Sequence, residues 1–252
     1  MKLLTLARDL RRRKARERHQ LFTAEGVRAV EELLRSSLRV RGVLVAPQLA
    51  DAPRGLSLIG MLRTARVEIA ELPPLDFASA AETESPQGVI AIAEIPDHSL
   101  DTLVLGERAR IVVLDAVQDP GNVGTILRTA AALGASAALA LPGTVDLWNA
   151  KVVRSAMGAS FHFPVLATNW EAVDQFRVRE SIALWGADAS GVLLDSLLPP
   201  PRLALLVGNE GAGLSPEGRS RVDALAALPI ASIVESLNVA VATGIFLYQL
   251  RT

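Results

Sequence analysis

The sequence has no cysteine. That excludes disulfides and thiolate zinc sites, and it fits a reducing compartment, the cytoplasm. Histidine is scarce as well: His19, His98 and His162 stand far apart, so the spacing gives no metal site and none is expected. No long apolar run is free of Pro or Gly, which argues against a membrane span. The N-terminus offers only Leu3-Leu4-Thr5-Leu6-Ala7 before charge sets in, too little for a signal peptide. Aromatic residues make up 4% of the chain, yet half of it is hydrophobic and the mean hydropathy is +0.31. A soluble α/β core is within reach, and 252 residues suffice for one large domain or two modest ones.

Net charge is nearly balanced at −1, but it is unevenly placed. Up to Arg41 twelve Lys and Arg face five Asp and Glu, a net of +7, which leaves −8 on the remainder. A basic head on an acidic body suggests a polyanionic partner met by the head. The densest part is Arg11-Arg12-Arg13-Lys14, within residues 1–20, which read as a basic helix or mobile arm with too little apolar surface to fold alone. The plain alternative is a solvated basic helix without a partner.

Residues 21–95 alternate in β/α fashion. Val27, Val30, Leu33 and Leu34 form one helical face, and Val40 to Ala46 reads as a strand stopped by Pro47. A helix near Leu56 to Thr64, a strand near Arg66 to Ala70, a short helix from Leu75 to Ala81 and the strand Val89 to Ala93 follow. Residues 96–107 are turn-rich and read as a linker to a second domain, 108–252.

In that second domain three strand-to-loop junctions each carry unusual polar residues. Ile111-Val112-Val113-Leu114-Asp115 leads through Asp119-Pro120-Gly121 into Asn122-Val123-Gly124-Thr125-Ile126-Leu127-Arg128, the start of a helix. Leu203 to Val207 is a buried-type strand running into Gly208-Asn209-Glu210-Gly211-Ala212-Gly213, whose glycines let backbone approach a ligand closely. Leu228 and Ile230, broken at Pro229, read as a short strand before the elbow Glu235-Ser236-Leu237-Asn238 and an apolar helix to Leu250. Ser236 or Asn238 can cap that helix. Open α/β sheets bind ligands at such carboxyl-edge loops. Each junction alone is more simply a cap or a turn; the three together are hard to ascribe to packing.

The segments NVGTILRTAAALGA (from Asn122), LLVGNEGAGLS (from Leu205) and LPIASIVESLNVAVATGIFLYQL (from Leu228) resemble, in order and spacing, the three signature motifs of the SpoU-type RNA ribose 2′-O-methyltransferases of the SPOUT class. The resemblance implies an α/β trefoil-knot catalytic domain, threaded in a way that general rules of chain topology treat as nearly absent. Phe22 with Glu25-Gly26, and Ser85-Pro86-Gln87-Gly88, resemble the ribosomal-protein-like substrate-binding domain that precedes it in many members. KVVRSAMGASFHFPV resembles a further family stretch in which basic residues, here Lys151 and Arg154, line the RNA side; an ordinary charged helix face is the alternative. Ser232 stands where many relatives have glycine.

The activity so implied is methyl transfer from S-adenosylmethionine to a ribose 2′-hydroxyl, with ribosomal RNA favoured over transfer RNA by the extra N-terminal domain. Gly208, Leu228, Ile230 and Leu237 match the cofactor-binding positions, and Arg128, Glu210, Ser236 and Asn238 the catalytic polar set, with Asn122 supporting. Arg128 is a poor proton acceptor, since a guanidinium is already protonated at any physiological pH. Clamping a phosphate and stabilising the oxygen as charge develops suit it better, with Glu210 orienting it or complementing the sulfonium charge, and Ser236 and Asn238 orienting it and the cofactor loop. A homodimer through the C-terminal knot region is also implied. Two rivals are a non-catalytic RNA-binding assembly factor and a nicotinamide-dependent enzyme. Retention of the polar set argues against the first, and the missing GxGxxG against the second.

Overall fold

The computed structural model describes residues 2–231 and 233–251, so Ser232 lies outside the described residues. The chain forms two compact units. One runs up to Asp97 and also contains Trp148–His162; the other contains His98–Leu147 and continues from Phe163.

The first unit opens with α1 (Leu3–Leu10) and α2 (Arg13–His19), followed by β1 (Leu21–Glu25), α3 (Val27–Arg35) and β2 (Val40–Val45). Then come α4 (Pro53–Thr64), β3 (Ile69–Glu71), α5 (Pro74–Ala78) and β4 (Val89–Glu94). Its sheet has the order β1-β4-β2-β3, antiparallel except for the parallel pair β2–β3. Residues 1–20 are not a separate arm. Leu3, Leu6, Ala7 and Leu10 recur at helical spacing, and this stripe packs with Leu21, Leu44, Phe77, Ile90 and Ile92 in the unit's core. The density of arginine conceals that stripe in the sequence.

The second unit begins with β5 (Ala109–Leu114), α6 (Pro120–Ala132) and β6 (Ala137–Ala140). The chain then contributes α7 (Ala150–Ala156) to the first unit, so the span 108–252 is interrupted at Trp148–His162. There Phe22 of β1 packs against Trp148 and Phe161, with ring centroids 4.5 and 5.7 Å away. The second unit resumes with β7 (Val165–Ala167), α8 (Trp170–Glu180), β8 (Ala183–Leu193), β9 (Arg202–Val207), α9 (Pro216–Arg221), β10 (Ala224–Ala227) and α10 (Val239–Leu250).

Its sheet, β10-β8-β9-β5-β6-β7, is parallel throughout. Parallel sheets are covered on both faces, which is why β5 and β9 read as unbroken apolar runs. Helices α6 and α10 pack together closely: a Cβ on Gly244 would lie 3.3 Å from Thr129 Cγ2. The far end of α10 is held by buried Arg110, which donates from Nε to the Leu250 carbonyl at 2.6 Å and from Nη1 to the Pro201 carbonyl at 2.7 Å.

Two local expectations change. Among the described residues the last strand is Ala224–Ala227, and those between Leu228 and Leu237 carry no strand. Pro229 has no N–H to give a ladder, so pairing stops before it. Arg128 lies about two turns into α6 rather than at its start, because Pro120 takes the first helical position and Asp119 is the cap.

Candidate functional site

The carboxyl ends of β9 and β10, the middle of β8 and the segment leading into α10 converge on a cavity of about 550 Å³ in the second unit. That is a usual size for a small-molecule site. Its lining includes Gly208, Leu228, Ile230, Ser236, Leu237 and Asn238, all expected from the sequence, together with Glu210. Ala226, Val239 and Phe246 add apolar wall, and Asp188 adds a second carboxylate. Among the described residues no lysine, arginine or histidine lines it.

The loop after β9 must be glycine at its first position. A Cβ on Gly208 would sit 2.2 Å from the backbone of Gly213, far inside contact distance. Asn209 closes the turn, accepting from the Gly211 and Ala212 N–H groups at 3.0 Å each and donating to the Ala116 carbonyl at 2.9 Å. Sequence reading passed over Asn209; an Asx residue between two glycines was the signal for it.

One hydrogen-bonded chain joins the three junctions. Glu210 accepts from the Asp119 N–H at 3.0 Å, the Gln118 N–H at 3.2 Å and Asn122 Nδ2 at 3.1 Å. Asn238 Nδ2 donates to Asn122 Oδ1 at 2.9 Å, and Asn238 Oδ1 accepts from the Ala240 and Val241 N–H groups at 2.9 and 3.3 Å, capping α10. The direction is dictated at both ends. A carboxylate only accepts, so Asn122 turns its nitrogen to Glu210 and its oxygen to Asn238. A helix N-terminus only donates, so Asn238 turns its oxygen to α10. Of the two candidate caps, Asn238 is the one used.

Burial pushes the Glu210 carboxyl up, but the bonds from Asn122, Asp119 and Gln118 outweigh it and hold it below the ordinary range. Asp188 is likewise held down. Burial opposes ionisation there, and bonds from Ser190 together with the Arg219 guanidinium prevail. No motif pointed to Asp188, which sits midway along the long strand β8.

Arg128 stands apart from this chain. It is exposed, and among the described residues it makes no hydrogen bond or ion pair; neither Glu210 nor Asn238 orients it. Glu210 and Asn238 satisfy each other's neighbours through Asn122, and Ser236 lines the cavity. The other basic candidates, Arg11, Arg12, Arg13, Lys14, Lys151 and Arg154, all belong to the first unit.

Residues 109–248 match the SpoU rRNA methylase family, and residues 5–91 match the MRM3-like substrate binding domain. The chain is 34% identical over 249 residues to the 23S rRNA (guanosine(2553)-2′-O)-methyltransferase RlmP of Bacillus subtilis, covering 97% of this chain and 94% of that one. It is also 34% identical over 248 residues to the 23S rRNA (uridine(2479)-2′-O)-methyltransferase of Streptomyces viridochromogenes, covering 94% and 84%. The crystal structure of the SpoU methyltransferase AviRb from Streptomyces viridochromogenes, in complex with the cofactor AdoMet, superposes with a TM-score of 0.89 at 30% identity, covering 99% of this chain and 97% of that one. With its second and third motifs lining one cavity, the first bonded to both, and family matches along nearly its whole length, the chain belongs to the SpoU rRNA methylase family.

Proposed function

We propose that this protein methylates a ribose 2′-hydroxyl of RNA, using S-adenosylmethionine as the methyl donor and ribosomal RNA as the substrate. One observation carries the reading: the cavity into which the second and third motifs both project, tied to the first by the Glu210–Asn122–Asn238 chain. The residues present fit the cofactor. Leu228, Ile230 and Phe246 offer apolar wall to adenine, and the glycine-tight backbone at Gly208 offers close main-chain contact. A lining with two ionised carboxylates and no cation suits a ligand with a positively charged sulfur. When bound, S-adenosylmethionine supplies a methyl group on a sulfonium, ready for displacement by an oxygen nucleophile.

The remaining tasks fall to the chain. Arg128, charged and without a competing partner, clamps the neighbouring phosphate through its planar fork and stabilises the 2′-oxygen as negative charge develops. The hydroxyl proton passes to phosphate or water, since guanidinium does not accept it. Glu210 and Asn122 hold the Gln118–Asp119 turn at the head of α6 and so fix the helix on which Arg128 rides. Lys151 and Arg154, with the exposed Arg11, Arg12, Arg13 and Lys14, bind RNA backbone. The protein acts as a homodimer through the α10 region, where Val241, Ile245 and Tyr248 form an exposed apolar face. No described helix is long and apolar enough to cross a membrane, and a cytoplasmic location fits a ribosomal RNA substrate.

The test is incubation with methyl-labelled cofactor and unmodified ribosomal RNA, followed by mapping of the methylated nucleotide. Label on a ribose of ribosomal RNA is the expected result. Transfer RNA labelled instead redirects the substrate, and cofactor bound without transfer to any RNA favours the assembly factor.

A further inference from the structure

The segment Trp148–His162 lies inside the sequence of the methylase domain, yet it folds with the first unit. Its anchor is aromatic. Phe22, fully buried on β1, sits between Trp148 at 4.5 Å and Phe161 at 5.7 Å, at the two ends of the segment. Between them α7 packs on β1, and its Ala150, Val152, Val153 and Ala156 are buried. The exit is also fixed: Gly158 has φ +90°, and a Cβ there would lie 2.6 Å from Glu32 Cβ on α3. Just beyond it His162 Nε2 is 3.8 Å from Glu32.

This clamped helix carries an unmet donor. Arg154 Nη1 is buried with no hydrogen-bond partner, as is Ser160 Oγ just beyond α7. Arg154 is nonetheless part-exposed and makes no hydrogen bond or ion pair among the described residues, so the guanidinium donors beyond the buried Nη1 are open to a ligand. The ligand chemistry that matches a guanidinium in an RNA methylase is a phosphate oxygen.

Resting on the RNA-methylation reading above, we propose that the first unit does more than add RNA affinity: it clamps α7 so that Arg154 meets an RNA phosphate, with Phe22 as the positioning residue. Phe22 touches neither cofactor nor RNA in this account, and its effect passes through Trp148, Phe161 and the helix between them.

A positioning role has a signature that loss of stability lacks. Neutralising one phosphate contact changes the slope of log affinity against log salt by about 0.9 on duplex and about 0.7 on single-stranded RNA. Arg154→Ala is expected to flatten the slope by that amount. Phe22→Ala removes no charge, yet it is expected to flatten the slope equally, and the double variant is expected to match either single one. RNA binding of the full-length chain is measured at several salt concentrations, with cofactor affinity measured in parallel and expected to stay unchanged. Phe22→Leu, which keeps most of the apolar volume, serves if the alanine variant does not fold; its slope is expected to fall between those of wild type and Arg154→Ala. A wild-type slope in the folded Phe22 variants, or additive losses in the double variant, overturns the inference. Failure of the wild-type protein to bind or methylate RNA at all would instead overturn the functional reading on which it rests.

Discussion

Around the basic head of the first unit, carboxylates and guanidiniums are matched: Asp9 meets Arg12 and Arg18, Glu17 meets Arg13, and Glu31 meets Arg54. The second unit pairs charges in the same way away from its cavity, Arg177 with Asp223 and Arg221 with Asp174. Along the first two motifs the pattern stops. Glu210 is bonded there only to neutral donors, and Arg128 is bonded to nothing among the described residues. The contrast separates two uses of charge. Exposed ion pairs contribute roughly 0–1 kcal/mol each and hold side chains in place. An exposed guanidinium with no bond among the described residues is free to meet charge that arrives with substrate or develops in the reaction.

Arg128 tests that distinction hardest. Arg128→Ala is expected to lower the rate of methyl transfer by about 10²- to 10³-fold, the usual loss for one donor aimed at developing charge. Cofactor affinity and unfolding temperature should hold, because no contact within the chain is lost. Arg128→Lys is expected to fail too, since a point charge does not replace a planar fork. A lysine variant that keeps most of the rate would sink the assigned role.

If the site is shared across a dimer, inactive chains can repair each other. Arg128→Ala and Asn238→Ala chains, unfolded and refolded together in equal amounts, are expected to regain about a quarter of wild-type activity: half the dimers are mixed and each keeps one intact site. Verified heterodimers without activity would place both residues in the same chain's site. Sedimentation at micromolar concentration checks the stoichiometry independently.

Substitution in α1 separates packing from charge in the first unit. Leu10→Ala, at a side chain 1% exposed, is expected to destabilise the protein by about 2–5 kcal/mol in denaturant titration while leaving cofactor affinity unchanged. Deleting residues 1–18 would remove Leu3, Leu6 and Leu10 along with the arginines, so it does not isolate RNA binding. Stability unaltered in Leu10→Ala would return α1 to the status of a detached arm.

Much of the site was legible in the sequence, because the three junctions are local signals: apolar strand, glycine or Asx turn, helix start. Gly208, Leu228, Ile230, Ser236, Leu237 and Asn238 line one cavity as their motifs implied. What the sequence hid was long-range. Asp188 enters the lining from the middle of a strand, and its partner Arg219 is far along the chain. The insertion of Trp148–His162 into the first unit depends on Phe22, more than a hundred residues upstream. Residues 1–20 were misread for a different reason: charge density outweighed a four-residue apolar stripe that only its helical spacing discloses.

The smallest expected effect is also the most direct probe of the contrast, because it compares neighbouring cations. Lys14 is exposed and, among the described residues, makes no hydrogen bond or ion pair, while Arg13 next to it donates to Glu17 at 2.7 Å. If RNA phosphate competes for both, Lys14 enters at no internal cost and Arg13 must first leave its carboxylate. Lys14→Ala is therefore expected to flatten the salt dependence of RNA binding by up to about 0.9 in log–log slope, and Arg13→Ala by less. Glu17→Gln is expected to act in the opposite direction. It removes one of Arg13's partners and a negative charge from the same face, so RNA affinity rises severalfold at low salt and the gain fades as salt screens it. All three positions are exposed, so unfolding temperatures should barely move. Equal losses for Lys14→Ala and Arg13→Ala, with no gain for Glu17→Gln, would mean that this pairing does not withhold charge from RNA and that the net charge of the head alone governs binding.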